Sequence, residues 1–265
     1  MNYFTKMKKA QREVRGGNKT ATLISRSRLI KDMTQSAKRD LYAISALILL
    51  ANLFKRSPIY NLFYLLAMII LSRRLWRSFP RFLAISVLVG FLAEVIGTRM
   101  CTPFGCYYYE NLKPLLFDVA LFVPLAWAIF GFVSYLTAGY FFKRRRARIA
   151  FASLLMVILD LSIDPIMTSW RAWVWETTTK INWFGIPWTN YMGWFIVSLT
   201  FFYLYERLSK GEVGEDLLKL GPLVYLLEMF TFMIYAPTSV KTPTTIAFLV
   251  SVVVLLLLYL WRWMK

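Results

Sequence analysis

Apolar residues run through this chain in blocks about as long as a bilayer is thick, and polar residues gather between the blocks. The clearest blocks are Val119–Phe142 and Thr244–Trp261, neither with a charged residue. An α-helix rises about 1.5 Å per residue, so roughly 20 apolar residues cross the hydrocarbon core. Phe82–Gly97, Ile149–Ile166, Tyr191–Tyr205 and Gly221–Tyr235 read as helices of the same kind, three of them carrying acidic residues. Leu41–Phe54 and Ile59–Ser72 are shorter and joined by Lys55-Arg56-Ser57-Pro58, which predicts a tight transmembrane hairpin with snorkelling ends. The expected fold is all-α: a polytopic transmembrane helix bundle of about eight spans.

Charge then orients the bundle. With eight alternating spans, 25 of the 32 Lys and Arg fall in segments on the side of the N-terminus and seven on the other. By the positive-inside rule both termini are cytoplasmic. Residues 1–40 form a basic cytoplasmic arm and 41–265 the membrane domain, with no internal repeat. The arm has no apolar core of a cleavable signal, and it lacks the interleaved aromatic residues of a nucleic-acid binder. Anionic membrane lipid is its expected partner, and nucleic acid is not.

Composition agrees with the pattern, because 58% hydrophobic residues is more than soluble domains carry. The chain has no histidine, which removes imidazole bases, histidine-ligated haem and histidine zinc sites. Cys101 and Cys106 are too few for a cluster; a disulfide between them and two free thiols are both open. No dinucleotide fingerprint and no phosphate-binding loop occurs. The tools left for chemistry are carboxyl groups, hydroxyls and aromatic rings, with no metal and no cofactor expected.

Four acids lie inside spans, where each is expensive and therefore functional by default: Glu94, Asp160, Asp164 and Glu228. Counted from the span starts, Glu94, Asp160 and Asp164 lie about 18, 16 and 22 Å from the inner edge, in the outer half of the bilayer. Glu228, about 10 Å beyond Gly221, falls nearer the inner side. Asp160 and Asp164 are one helical turn apart on one face, close enough to share a proton and act as acid and base together. An Asp pair that only caps helices or meets buried arginines is the structural alternative. The following outer loop holds six tryptophans between Trp170 and Trp194, and the loop after Glu94 adds Phe104 and Tyr107-Tyr108-Tyr109. A headgroup belt explains one or two tryptophans. Rings around an acid in an apolar cleft also bind an isoprenoid chain and stabilise a carbocation.

The stretches Glu94-Val-Ile-Gly97, Pro103-Phe-Gly-Cys-Tyr107-Tyr-Tyr109, Val123-Pro-Leu-Ala-Trp127, Leu159-Asp160-Leu-Ser-Ile-Asp164-Pro165, Trp173-Val-Trp175 and Gly185-Ile-Pro-Trp-Thr-Asn190-Tyr-Met-Gly193-Trp194 occur in that order. Together they resemble the membrane carotenoid hydratases of the CruF type over residues 82–206. The resemblance implies addition of water to the terminal double bond of an acyclic carotenoid, without a cofactor. In that chemistry Asp160 or Asp164 protonates the alkene. Trp127, Trp173, Trp175 and Tyr109 shield the tertiary cation, with Tyr107 and Trp194 on the same substrate-binding surface. Water held by the second carboxylate or by Glu94 attacks, positioned by Asn190. Two alternatives share the same residues: an end-group cyclase, in which an internal alkene captures the cation, and a proton- or cation-coupled transporter.

Overall fold

The computed structural model describes residues 35, 38–55, 59–74, 76–177, 179–209 and 213–264. Most of the basic arm therefore lies outside the described residues. The described residues are mainly helical: α1 over 38–53, α2 Ile59–Arg74, α3 Phe79–Met100, α4 Val123–Phe141, α5 Arg145–Ser169, α6 Trp188–Leu208, α7 Glu215–Tyr235 and α8 Lys241–Trp263. Each expected block has its helix. Among the described residues, five helical segments are long and apolar enough to cross a membrane: α3, α4, α5, α7, and α8 together with the short turn before it.

Proline sets several of the boundaries, since it tolerates the first turn of a helix but not the middle. Pro80 and Pro124 sit in the first turns of α3 and α4. The apolar run from Val119 is not all helix, because Val119–Ala120 instead pairs with Leu115–Leu116 as a hairpin. Its two turn residues, Phe117 and Asp118, take φ of 51° and 67°, the left-handed geometry of a tight two-residue turn. Helix α4 starts only after it.

Helix α4 is the centre of the bundle. It is apolar all round, as a helix buried on every side should be, and is packed by α3, α5 and α7. Helix α7 approaches it so closely at Gly221 that a Cβ there would lie 2.4 Å from the Thr137 amide nitrogen. Helix α6 packs between α3 and α5, and α8 lies outside α5 and α7. Leu249, Val253, Leu256 and Leu257 of α8 stay exposed, as side chains meeting lipid would.

One end of the bundle, the loop face, carries the α1–α2, α3–α4, α5–α6 and α7–α8 connections. There, among the described residues, three short two-stranded ribbons add to the helical bundle. One is the Leu115–Ala120 hairpin, and a second joins Asn182–Trp183 to Ile186–Pro187. The third pairs Tyr107–Tyr109 with Trp173–Trp175 and so ties the two long loops together.

Glu228 also differs from its expected depth. Helix α7 begins at Glu215 rather than Gly221, so Glu228 is 13 residues into it and seven from its end at Tyr235. That places it toward the loop face, where it holds the first hairpin. Its Oε1 accepts from Asn52 Nδ2 at 2.7 Å and from the Tyr64 hydroxyl, and its Oε2 from Lys55 Nζ and the Tyr60 hydroxyl. Lys55 Nζ also donates to Thr231 Oγ1 at 2.9 Å and lies 3.6 Å from the centre of the Phe232 ring. The two charged side chains are 7% and 0% exposed. Removing one partner of a buried ion pair strands the other, so Lys55→Met should lower stability by about 3–5 kcal/mol. The double variant Lys55→Met/Glu228→Leu should lose clearly less, in denaturation of the detergent-solubilised protein.

Candidate active site

Beneath the ribbon of Tyr107–Tyr109 and Trp173–Trp175 lie three acids. Side chains two apart on a strand share a face, and the register Tyr107 opposite Trp175 and Tyr109 opposite Trp173 turns four rings toward the bundle while Tyr108 stays exposed. The ribbon continues outward through Glu110 N to Ala172 O at 3.0 Å and Asn111 N to Arg171 O at 3.1 Å. At its rim Arg171 grips Glu110 with two hydrogen bonds of 2.5 and 2.7 Å. The hydrogen bonds and charge of that guanidinium hold the Glu110 carboxyl below its ordinary range.

Glu94 is buried at 6% exposure and meets only donors. The Tyr109 hydroxyl donates to Oε2 at 2.7 Å, the Tyr107 hydroxyl to the same oxygen, and Trp127 Nε1 to Oε1 at 2.9 Å. The Asp pair is the other half of the site, at 0% and 2% exposure for Asp160 and Asp164. Asn190, in the first turn of α6, gives its Nδ2 hydrogens to both: to Asp160 Oδ2 at 2.6 Å and to Asp164 Oδ2. Trp173 Nε1 donates to Asp164 Oδ1 at 2.8 Å.

Proline inside α5 shapes this spot. Pro165 has no N–H, which leaves the carbonyl of Leu161, four residues back, without its helical donor. The Trp183 indole supplies one, with Nε1 3.0 Å from Leu161 O. A second tryptophan of the dense loop is thus bound to the acid helix by its N–H. Trp183→Phe should destabilise by roughly 0.5–1.5 kcal/mol, the net worth of one half-buried hydrogen bond, measured as a lowered unfolding midpoint.

Two spaces adjoin the acids. A cavity of about 30 Å³ is bordered by Glu94, Asp164, Tyr107, Tyr109, Trp173, Trp175, Asn190 and Trp194, together with Phe104 and Val123. That is room for one water molecule, with polar partners on several sides. None of these residues is basic. A cleft of about 540 Å³ lies beside it, with Phe122, Ala126, Phe130, Ile163, Ile166, Met167 and Phe232 among its apolar walls. Val123, Trp173 and Trp194 border both spaces, and Trp127, the Glu94 donor, faces the cleft. The Trp127 and Trp194 rings stack at 4.2 Å. The polar edge of the cleft is made by Lys55, Asn61, Asn111 and Lys113.

The ten residues given a part in the proposed chemistry by the sequence fall in this region, and nine of them border the cavity or the cleft, whereas Glu228 lies apart. Asp160 borders neither. Phe104, which the sequence marks only as one ring of the loop after Glu94, also borders the cavity. Its ring fills a notch between α3 and α6, where a Cβ on Gly97 or Gly193 would come within 2.8 or 2.5 Å of it. Cys101 and Cys106 are bonded to one another and close the turn that carries Phe104. Among the described residues, no group of three or more Cys, Asp or Glu is placed to hold a metal ion.

The architecture is that of a helical membrane protein with a buried acid site under an aromatic ribbon. A sequence profile of carotenoid biosynthesis proteins matches residues 56–259, and the chain belongs to that family. A bisanhydrobacterioruberin hydratase from Haloarcula japonica is 28% identical over 109 residues, which is 39% of this chain and 36% of that protein. No solved structure matches the chain.

Proposed function

We propose that this protein adds water across the terminal double bond of an acyclic carotenoid, in a membrane bundle of eight spans whose loop face lies outside the cell. The sidedness rests on the distribution of Lys and Arg. The observation that carries the activity is the shared wall: an apolar cleft meets a water-sized cavity across Val123, Trp173 and Trp194, with two carboxyl groups on the cavity side. The hydratase named among the relatives supports the same reading.

The steps balance without any added reagent. Asp164, the aspartate on the cavity, gives its proton to the less substituted alkene carbon, and the positive charge forms on the tertiary carbon. The faces of Trp173, Trp194 and Trp127 stabilise that cation. Water in the cavity bonds to the cation, and Glu94, which already accepts three hydrogen bonds, takes the proton released. Both Nδ2 hydrogens of Asn190 are committed to the Asp pair, so its Oδ1 is the atom that orients the water. Glu94 and Asp164 border one small cavity, so a single water carries the proton back to Asp164 and resets the site.

A water-sized space beside the acid supports hydration over cyclisation, in which an internal alkene must reach the cation. A transporter needs a path across, yet Glu228 lies toward the loop face with the other acids and is neutralised by Lys55. The test is expression in a host making acyclic carotenoids, in labelled water, with mass spectrometry of the pigments. The expected product is heavier by one water and carries the label in its hydroxyl. Asp164→Asn and Glu94→Gln should each reduce its formation at least about a hundredfold, the lower end of what general acid–base catalysis contributes. An unchanged mass with altered retention would instead indicate cyclisation.

A further inference from the structure

Asp160 is the one acid of the site that reaches neither space. Its Oδ2 accepts from Asn190, but its Oδ1 is buried with no hydrogen-bond partner among the described residues. The neighbour of Asn190 has the opposite deficit. The Tyr191 hydroxyl is also buried without a hydrogen-bond partner among the described residues, and it lies within electrostatic reach of both Asp160 and Asp164. A buried acceptor and a buried donor are each expensive to leave unmatched.

We propose that Tyr191 is a positioning residue for the Asp pair, its hydroxyl donating toward Asp160 Oδ1 across one buried water. The consequence comes from counting donors. Asp164 receives two, from Trp173 and Asn190, and Asp160 receives one from Asn190. On that count alone the shared proton belongs on Asp160, where no substrate can reach it. A donor from Tyr191 makes the count equal. The negative charge of Glu94, which borders the cavity with Asp164, then draws the proton onto Asp164, where the alkene can take it. Tyr191 thus decides which aspartate is the usable acid, without touching substrate.

The kinetic part of this inference rests on the proposed hydration, whereas the hydrogen bond itself does not. The experiment therefore has two arms on Tyr191→Phe, which keeps the ring. Infrared spectra of the detergent-solubilised protein, in water and in heavy water, read the carbonyl stretch of the protonated carboxyl groups. The band that Asp160→Asn and Asp164→Asn alter should shift in Tyr191→Phe. Hydration by Tyr191→Phe should show kcat lowered about tenfold, the equivalent of one hydrogen bond of about 1.4 kcal/mol, with KM unchanged. A carboxyl band identical to that of the wild type overturns the proposal. If the wild type hydrates no carotenoid, the hydration reading fails, and the infrared arm still decides for or against Tyr191.

Discussion

Three carboxyl groups are buried in one end of a helix bundle with no lysine or arginine lining the small cavity beside them, and the rest of the architecture depends on keeping them there. A buried carboxyl group without a cation must be met by neutral donors. Here the donors are tyrosine hydroxyls, indole N–H groups and one amide, and all come from outside the helix that carries the acid. Helices alone do not supply them. The loops must fold back over the bundle, and the ribbon of Tyr107–Tyr109 with Trp173–Trp175 is how they do so. The ribbon is a donor array first and a lid second.

The helices are legible in the sequence because a bilayer-length apolar block has few other solutions. Each of the eight blocks has a helix, including the short pair before and after Lys55. The ribbons are not legible. Two- and three-residue strands are too short for an alternating pattern, and the residues that make them, Tyr107-Tyr-Tyr109 and Trp173-Val-Trp175, read equally well as an interfacial belt. Val119 departs from the helical expectation for a related reason. Hydropathy cannot distinguish the first turn of a helix from an apolar hairpin, and the left-handed pair Phe117–Asp118 carries no glycine to betray the turn.

For the acids, sequence spacing gives the face but not the neighbourhood. That Asp160 and Asp164 share a helix face comes from their separation of four. That Asp164 borders the cavity and Asp160 does not depends on where α6 and the ribbon pack, which no local pattern records. Glu228 is the clearest case. Its depth differs from expectation because an apolar count begins at Gly221, whereas the helix starts six residues earlier with Glu215 and Asp216 in its first turn. Its partner Lys55 is 173 residues away in the chain.

The contrast between Glu228 and the other acids separates two uses of a buried carboxyl group. Glu228 faces an ammonium group and three neutral donors, which leaves it saturated and gives it a structural part, fastening the first hairpin to α7. Glu94 and Asp164 have donors that hold their orientation but no adjoining cation in the cavity wall, and each borders a space that a water molecule can occupy. Neutral donors orient a carboxyl group and leave its proton exchange with a neighbour intact; a buried lysine against it would fix it in one state. Chemistry that both gives and takes a proton therefore needs acids of the second kind. Lys55 also borders the cleft, so the same fastening that holds the hairpin closes one wall of the space beside the acids. In this bundle the ion pair shapes the cleft, and the proposed proton exchange falls to the acids without a cation.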